Sequence, residues 1–258
     1  MANQVYFDKE VIAKYSLTGP RYTSYPTVLH FHEWFTDDSY KEQAALSNED
    51  LIPSALSLYF HLPFCRMVCF YCACNKIITN NQKHADKYLD YLHREIQLQG
   101  RLFDRDRIVT QLHWGGGTPT YITNQQMQAL MAETRRSFTL LDDESRDYSV
   151  EIDPRVTDTK TISVLHDIGF NRISVGVQDF DIEVQKSVNR IQPFEQTAEV
   201  IKKARKQGFK SVNIDLIYGL PKQTVTSFKQ TLEQLADLNP DRIAVYNYAH
   251  LPDRKSVV

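Results

Sequence analysis

All four cysteines of the chain fall within ten residues: Cys65, Cys69, Cys72 and Cys74. Disulfides staple distant loops, and so tight a cluster would staple nothing. In a reducing compartment, thiols at this density read as a metal site. The spacing C-x3-C-x2-C puts three thiolates on one short loop, with Cys74 two residues further on. Three thiolates can hold three corners of a four-iron cubane and leave the fourth iron open to a small ligand. An amine and a carboxylate side by side, as in an amino acid, could chelate that iron. Four cysteines could instead hold structural zinc, although zinc motifs usually come as two pairs separated by a longer segment. The spacing favours iron–sulfur, and zinc stays open.

Other residues could serve a ligand beside such a centre. Gly115-Gly116-Gly117-Thr118 lets backbone approach a ligand without Cβ interference. Read alone, it is equally a strand-to-helix turn. Glu151 ends an apolar run, where a carboxylate needs a partner. Tyr59 lies on the same side of its strand as His61 by alternation, with Phe60 on the other. Strand parity does not tell which side is interior. Tyr59 and Tyr71 taken alone would be core aromatics, and Arg190 an ordinary surface arginine.

The elements that must position these residues follow from periodicity. Runs rich in apolar or β-favouring residues predict strands at 56–62, 111–114, 148–152, 172–177, 211–217 and 242–248. Between them, apolar residues recur at three or four positions and predict helices at 84–99, 123–138, 161–168, 196–206 and 226–238. Thr123 and Gln126 have capping-box spacing. Gly169 and Gly208 follow helical stretches and precede β-branched runs, as helix-terminating glycines do. Alternating strands and helices argue for an α/β fold with a parallel sheet, rolled by right-handed crossovers toward a barrel. Chemistry in such folds sits at the C-terminal strand ends. The cysteine loop, the glycine triplet, Glu151 and Gln178 all fall there, Asp215 lies in the fifth strand and Ala249 follows the sixth. Residues 1–54 carry no such repeat and read as an N-terminal extension, 55–252 as the core, and 253–258 as a divergent tail.

Composition sets limits. The chain is 42% hydrophobic and 24% charged, which excludes a disordered or collagen-like chain. A net charge of −2 gives nucleic-acid binding no support. No apolar run approaches the roughly 20 residues of a membrane span, and the first residues lack a secretory pattern. The expectation is a cytoplasmic protein without membrane insertion.

The loop Cys65-Arg66-Met67-Val68-Cys69-Phe70-Tyr71-Cys72 resembles the C-x3-C-x-aromatic-C signature of the radical S-adenosylmethionine (SAM) superfamily. Within it the chain is similar to the oxygen-independent coproporphyrinogen III oxidases, from about Tyr15 to Pro252. The resemblance includes Pro20 to Thr27, His61-Leu62-Pro63-Phe64, Cys74-Asn75-Lys76 and His113 to Thr120. It continues through Val177-Gln178-Asp179-Phe180, Asp215 to Pro221 and Asn247 to Pro252. It implies a partial (β/α)6 TIM-like barrel of the radical SAM type, truncated after the sixth strand. It implies a [4Fe-4S] cluster on Cys65, Cys69 and Cys72, and one or two SAM molecules. The positions it matches to SAM are Tyr59, Tyr71, Gly116, Gly117, Thr118, Glu151, Gln178 and Arg190, with Asp215 and Ala249 matched to a second SAM. Arg21 and its tyrosine neighbours are expected to meet substrate propionates.

The implied reaction is radical decarboxylation of two propionates of coproporphyrinogen III to vinyl groups, giving protoporphyrinogen IX in heme biosynthesis. No side chain need act as a general base in the first step, so no catalytic residue is named. The implied partners are that substrate and a low-potential electron donor such as a flavodoxin or ferredoxin, with the chain monomeric. Heme-binding chaperones that share the core are an alternative. They lack a cysteine at the position of Cys74 and the Pro20-Arg21-Tyr22-Thr23 stretch, and this chain has both. An inactive fragment is another, because the sequence after Pro252 does not continue the family pattern. The last strand is accordingly expected to lack a covering helix.

Overall fold

The computed structural model describes residues 6–16 and 30–249. Residues 20–27, with Arg21, and 250–258 lie outside the described residues. The chain divides into two compact units, 1–46 and 47–258. The first contributes helix α1 (Lys9–Tyr15), capped by the Asp8 carboxylate on the Glu10 and Val11 amides, and most of α2 (Asp37–Asn48).

The second unit is built on a parallel sheet. Its strands are β1 (Leu56–Leu62), β4 (Ile108–Gly116), β6 (Asp147–Ile152), β7 (Arg172–Gln178), β8 (Ser211–Tyr218) and β9 (Arg242–Asn247), hydrogen-bonded in that order. Two-residue strands β2 (Phe64–Cys65) and β3 (Ile77–Ile78) pair with each other, and β5 (Thr139–Leu140) pairs with β4. Helices α3 (Gln82–Gly100), α4 (Asn124–Ser137), α5 (Thr159–Asp167), α7 (Phe194–Gln207) and α8 (Val225–Leu238) lie between successive sheet strands, with short α6 (Ile182–Ser187) before α7. The expected α/β alternation is therefore present. Among the described residues the pairing runs as an open path from β1 to β9, with no β9-to-β1 pair to close a barrel.

Strand alternation divides the sheet into unlike faces. Phe60, Leu112, Trp114, Val150, Val175 and Ile214 are buried in one core with Leu89, Leu130, Ile162, Val200 and Leu235 of the helices. The opposite parity carries Tyr59, His61, His113, Ser149, Glu151, Ser174, Asn213 and Asp215, none fully buried. A parallel sheet with both faces dry would be apolar on both. Polar residues gather on one face and set it apart from the core face. This settles the parity question: Phe60 points to the core, and Tyr59 and His61 to the polar side.

Local signals explain the helices. Thr123 and Gln126 form the expected capping box of α4, and Thr224 and Ser227 form another on α8. Gly208 ends α7 in the left-handed region, φ 93°. On α8, Leu235 and Leu238 are buried as the periodicity predicts, but Leu232 is 42% exposed. Tyr148 ties β6 to its neighbours, its hydroxyl reaching Val109 O at 2.8 Å and Leu141 O at 3.0 Å. Tyr148→Phe should cost about 1 kcal/mol, the ordinary net worth of such a bond, read from the urea midpoint at unchanged slope.

Candidate active site

Register brings the polar residues side by side. Tyr59 stands opposite His113, and His113 opposite Ser149. Glu151 stands opposite Ser174, Ser174 opposite Asn213, and Gly176 opposite Asp215. Hydrogen bonds follow these rows. His113 Nδ1 lies 2.6 Å from Ser149 Oγ, and His113 Nε2 lies 3.3 Å from Glu151 Oε1. A carboxylate only accepts, so Nε2 carries a proton and, in neutral His113, the serine hydroxyl donates to Nδ1. The same logic fixes His61. Its Nε2 donates to Asn75 O at 2.8 Å, so neutral His61 accepts the Tyr59 hydroxyl at Nδ1, 3.0 Å away. Burial, then Glu151 and Cys74, push the Tyr59 phenol up and keep it protonated.

At the C-terminal strand ends these rows open into a cavity of about 210 Å³. Cys65, Cys69, Cys72 and Cys74 all line it. Of the residues the sequence nominates, Tyr71, Gly116, Gly117, Thr118, Glu151, Gln178, Arg190 and Asp215 line it as well. Tyr59 does not; it is 56% exposed and stacks on the His113 ring at 5.7 Å. Ala249, exposed just past β9, does not line it either.

The cysteine loop is fixed at its root. The β2–β3 pair sets Phe64 opposite Ile77 and Cys65 opposite Ile78. Lys76 closes the loop with its ammonium 2.8 Å from Cys72 O. The glycine triplet continues β4 beside β1, and the Gly117 and Thr118 amides donate to Leu62 O and Phe64 O, both at 2.9 Å. Gly116 has φ 116°, which side-chain-bearing residues rarely adopt. Its amide donates to Glu151 Oε2 at 3.2 Å, so one carboxylate joins the glycine turn to His113.

The sulfurs have different neighbours. Cys69 is buried, Cys65 and Cys72 are half-buried, and Cys74 is exposed. Cys65 Sγ lies 3.4 Å from the Thr118 hydroxyl, and burial raises its pKa. The Cys74 thiol beside Cys72 draws Cys72 down to about 6, while the same contact and burial push Cys74 up. Among the described residues, no three His, Cys, Asp or Glu side chains converge to hold one metal ion. A cubane takes one thiolate at each separate corner, and the thiols around this cavity suit that donor chemistry.

Cys69 meets two guanidinium groups that share one carboxylate. Asp153 Oδ2 lies 2.7 Å from Arg155 Nη2 and 3.2 Å from Arg190 Nη1. Burial disfavours the Asp153 charge, but Arg190 and Arg155 overcome it and hold its pKa below the ordinary 3.8. The stabilisation this supplies is in place above that value and is lost as pH falls through the lowered one. Burial likewise opposes the Arg190 charge, and the Asp153 carboxylate beside it favours it. Arg190, matched to SAM by resemblance though taken alone it would be a surface arginine, lines the cavity and is 7% exposed. Tyr71 packs on Val184, Val188, Ile217 and Leu220, and burial pushes its phenol up. Gln178 ends β7 with φ 71°, after a register shift at Gly176. Asp215 accepts from Ser174 and Asn213, at 3.1 and 2.7 Å, and burial raises its pKa.

Sequence reasoning missed Asp153, Arg155, Ser174 and Lys76 as lining residues. Alternation from Glu151 would have found Asp153. Nothing local marks Arg155, whose partners lie two, 34 and 86 residues away in the chain.

The chain matches the family description "Radical SAM superfamily" over residues 59–235. It is 48% identical over 254 residues to an oxygen-independent coproporphyrinogen III oxidase of Pseudomonas aeruginosa, covering 98% of this chain and 55% of that one. The namesake from Escherichia coli is 49% identical, over 96% of this chain and 53% of its own. The chain therefore spans about half the length of these relatives. A solved structure described as "Coproporphyrinogen III oxidase (HemN) from Escherichia coli is a Radical SAM enzyme" superposes with TM-score 0.86 at 47% identity, covering 97% of this chain and 54% of that one. Streptococcus suis SuiB bound to S-adenosylmethionine shares the fold alone, with TM-score 0.55 at 16% identity. With the family match covering most of the chain and the cysteine loop standing over its cavity, this chain belongs to the radical SAM superfamily.

Proposed function

We propose that the chain carries the cluster- and SAM-binding part of an oxygen-independent coproporphyrinogen III oxidase. The observation that carries this reading is one cavity lined by Cys65, Cys69 and Cys72 together with the glycine turn, Glu151, Gln178, Arg190 and Asp215. The high identity to proteins of that name supports the substrate: coproporphyrinogen III, with two propionates decarboxylated. The reading keeps 55–252 as a barrel-type core behind a 1–54 extension. It also keeps a low-potential electron donor, a monomeric state, a cytoplasmic location and one or two SAM molecules.

Cys65, Cys69 and Cys72 would hold the cluster. Bound there with SAM, it supplies one-electron cleavage of a SAM carbon–sulfur bond and so the abstraction of hydrogen from carbon. The chain's own residues bind and orient. The Gly116–Gly117 backbone admits the methionine end of SAM without a Cβ in the way. Glu151, fixed by Gly116 N and His113, offers its remaining lone pairs to an amine or to ribose hydroxyls. Asp215, already holding Ser174 and Asn213, offers the same on the far side of the cavity. Thr118 and the two arginines donate to sulfur and keep that side of the site polar.

Glu151→Gln should weaken SAM binding about 10- to 100-fold, the worth of one charged hydrogen bond, while iron content stays unchanged. Equilibrium dialysis with labelled SAM measures it. Anaerobic reconstitution followed by an assay for 5′-deoxyadenosine, with and without coproporphyrinogen III, tests the whole reading. SAM cleavage is expected, and faster with substrate. A reconstituted protein that binds heme stoichiometrically and cleaves no SAM would overturn it.

A further inference from the structure

Four cysteine sulfurs line the cavity, but guanidinium groups reach only one of them among the described residues. Arg155 Nη2 lies 3.4 Å from Cys69 Sγ and Arg190 Nη1 lies 3.7 Å away. Cys65 meets a neutral hydroxyl, and Cys72 meets the Cys74 thiol and the ammonium of Lys76, a single charge with no carboxylate clamp. Arg155 has no freedom to drift. Its Nε sits 3.0 and 3.1 Å from the two Asp153 oxygens, its Nη2 grips Oδ2, and its Nη1 reaches Asn189 O at 3.5 Å. Asn189 is itself clasped to the cysteine loop, its side-chain amide donating to Val68 O at 2.7 Å. One residue earlier, Val188 O accepts the Phe70 amide at 3.0 Å. These bonds tie the segment Val188–Arg190 to the cysteine loop, and Arg155 contacts both.

Counted by charge, two guanidiniums and one carboxylate leave a net positive charge beside one buried sulfur. Side-chain exposures of 9% for Arg155, 8% for Arg190 and 10% for Asp153 limit solvent screening. A cluster gains one negative charge on reduction, and hydrogen bonds and net charge at its sulfurs set its potential. We propose that Arg155, held by Asp153, is a positioning residue that raises the reduction potential of the cluster through Cys69. This rests on the cluster assignment made above. Arg190 carries a second load, donating to Gly176 O at 2.6 Å beneath the cavity. Arg155 is the cleaner probe.

The test is a redox titration of the anaerobically reconstituted full chain, followed by the electron paramagnetic resonance of the reduced cluster. Arg155→Met removes the charge at similar length and should move the midpoint to more negative potential. Arg155→Lys keeps the charge and loses the planar fork. It should fall between the two, and it serves in place of the methionine variant if that one does not fold. Midpoints of both variants that stay at the parent's, or that move to more positive potential, while iron and sulfide match the parent, would overturn the proposal. A parent chain that takes up no iron and sulfide would instead overturn the cluster assignment beneath it.

Discussion

Serine in place of Cys65, Cys69 or Cys72 should each reduce bound iron and sulfide to near zero after anaerobic reconstitution, whereas Cys74→Ser should retain them. On the proposed reading each of the three would supply one corner, and a cluster held at only two would lose both a bond and the chelation that makes the third favourable. Cys74 is the case that decides. It lines the same cavity, two residues from Cys72, so proximity alone would make it a fourth ligand. Its environment says otherwise. It is the exposed one of the four, whereas Cys69 is buried and Cys65 and Cys72 are half-buried. Serine at 74 keeps a donor beside Cys72 and should keep the cluster. Equal loss in all four variants would instead describe a four-thiolate site with no open position for SAM.

The second large effect is expected at Gly117. A Cβ there would come within 2.7 Å of Pro63 C, 2.8 Å of Pro63 O and 2.9 Å of Phe64 O. All three are backbone atoms of the segment that leads into Cys65, so no side chain can turn aside. Either β1 and β4 separate at their C-terminal ends or the cysteine loop moves. Gly117→Ala should cost about 3 kcal/mol, as overpacking of a tight interior does. In a chain of this size that lowers the melting temperature by roughly 6–12 °C. Cluster loading and SAM binding should fall with it, because the displaced atoms carry both. Calorimetry and an iron assay on the same sample measure the two losses. A normal melting curve with normal loading would mean that the loop is not held by the close approach of these two strands.

Much of the scaffold is readable in the sequence because alternation and the 3.6-residue period survive in it. The capping box at Thr123 and the helix end at Gly208 are local chemistry and lie where the residues put them. Boundaries are less legible where two signals compete. The second strand reads as Gln111–Trp114 but runs from Ile108 to Gly116, because the glycines that look like a loop stay paired with His61 and Leu62. Helix α6 has six residues, too few to show a period, and rests on the Asp181 cap. The β2–β3 pair is two residues long and exists because the loop between its strands folds back.

The candidate site divides in the same way. The cysteine cluster and the glycine triplet are contiguous, so sequence shows them. Parity needed the sheet, since only packing decides that Phe60 and Trp114 face the helices and Tyr59 and His113 the polar side. The Asp153–Arg155–Arg190–Cys69 set was not legible as a set. Its members come from three separate stretches of chain, and burial of the charges is visible only once they neutralise each other.

The central claim is that three thiolates hold a cluster with one iron free for SAM. Electron paramagnetic resonance of the reconstituted, dithionite-reduced chain, recorded before and after SAM is added, tests it most directly. A reduced [4Fe-4S] signal whose g values shift on addition of SAM is the expected result. A protein that holds zinc and no sulfide, or a cluster signal indifferent to SAM at saturating concentration, would contradict it.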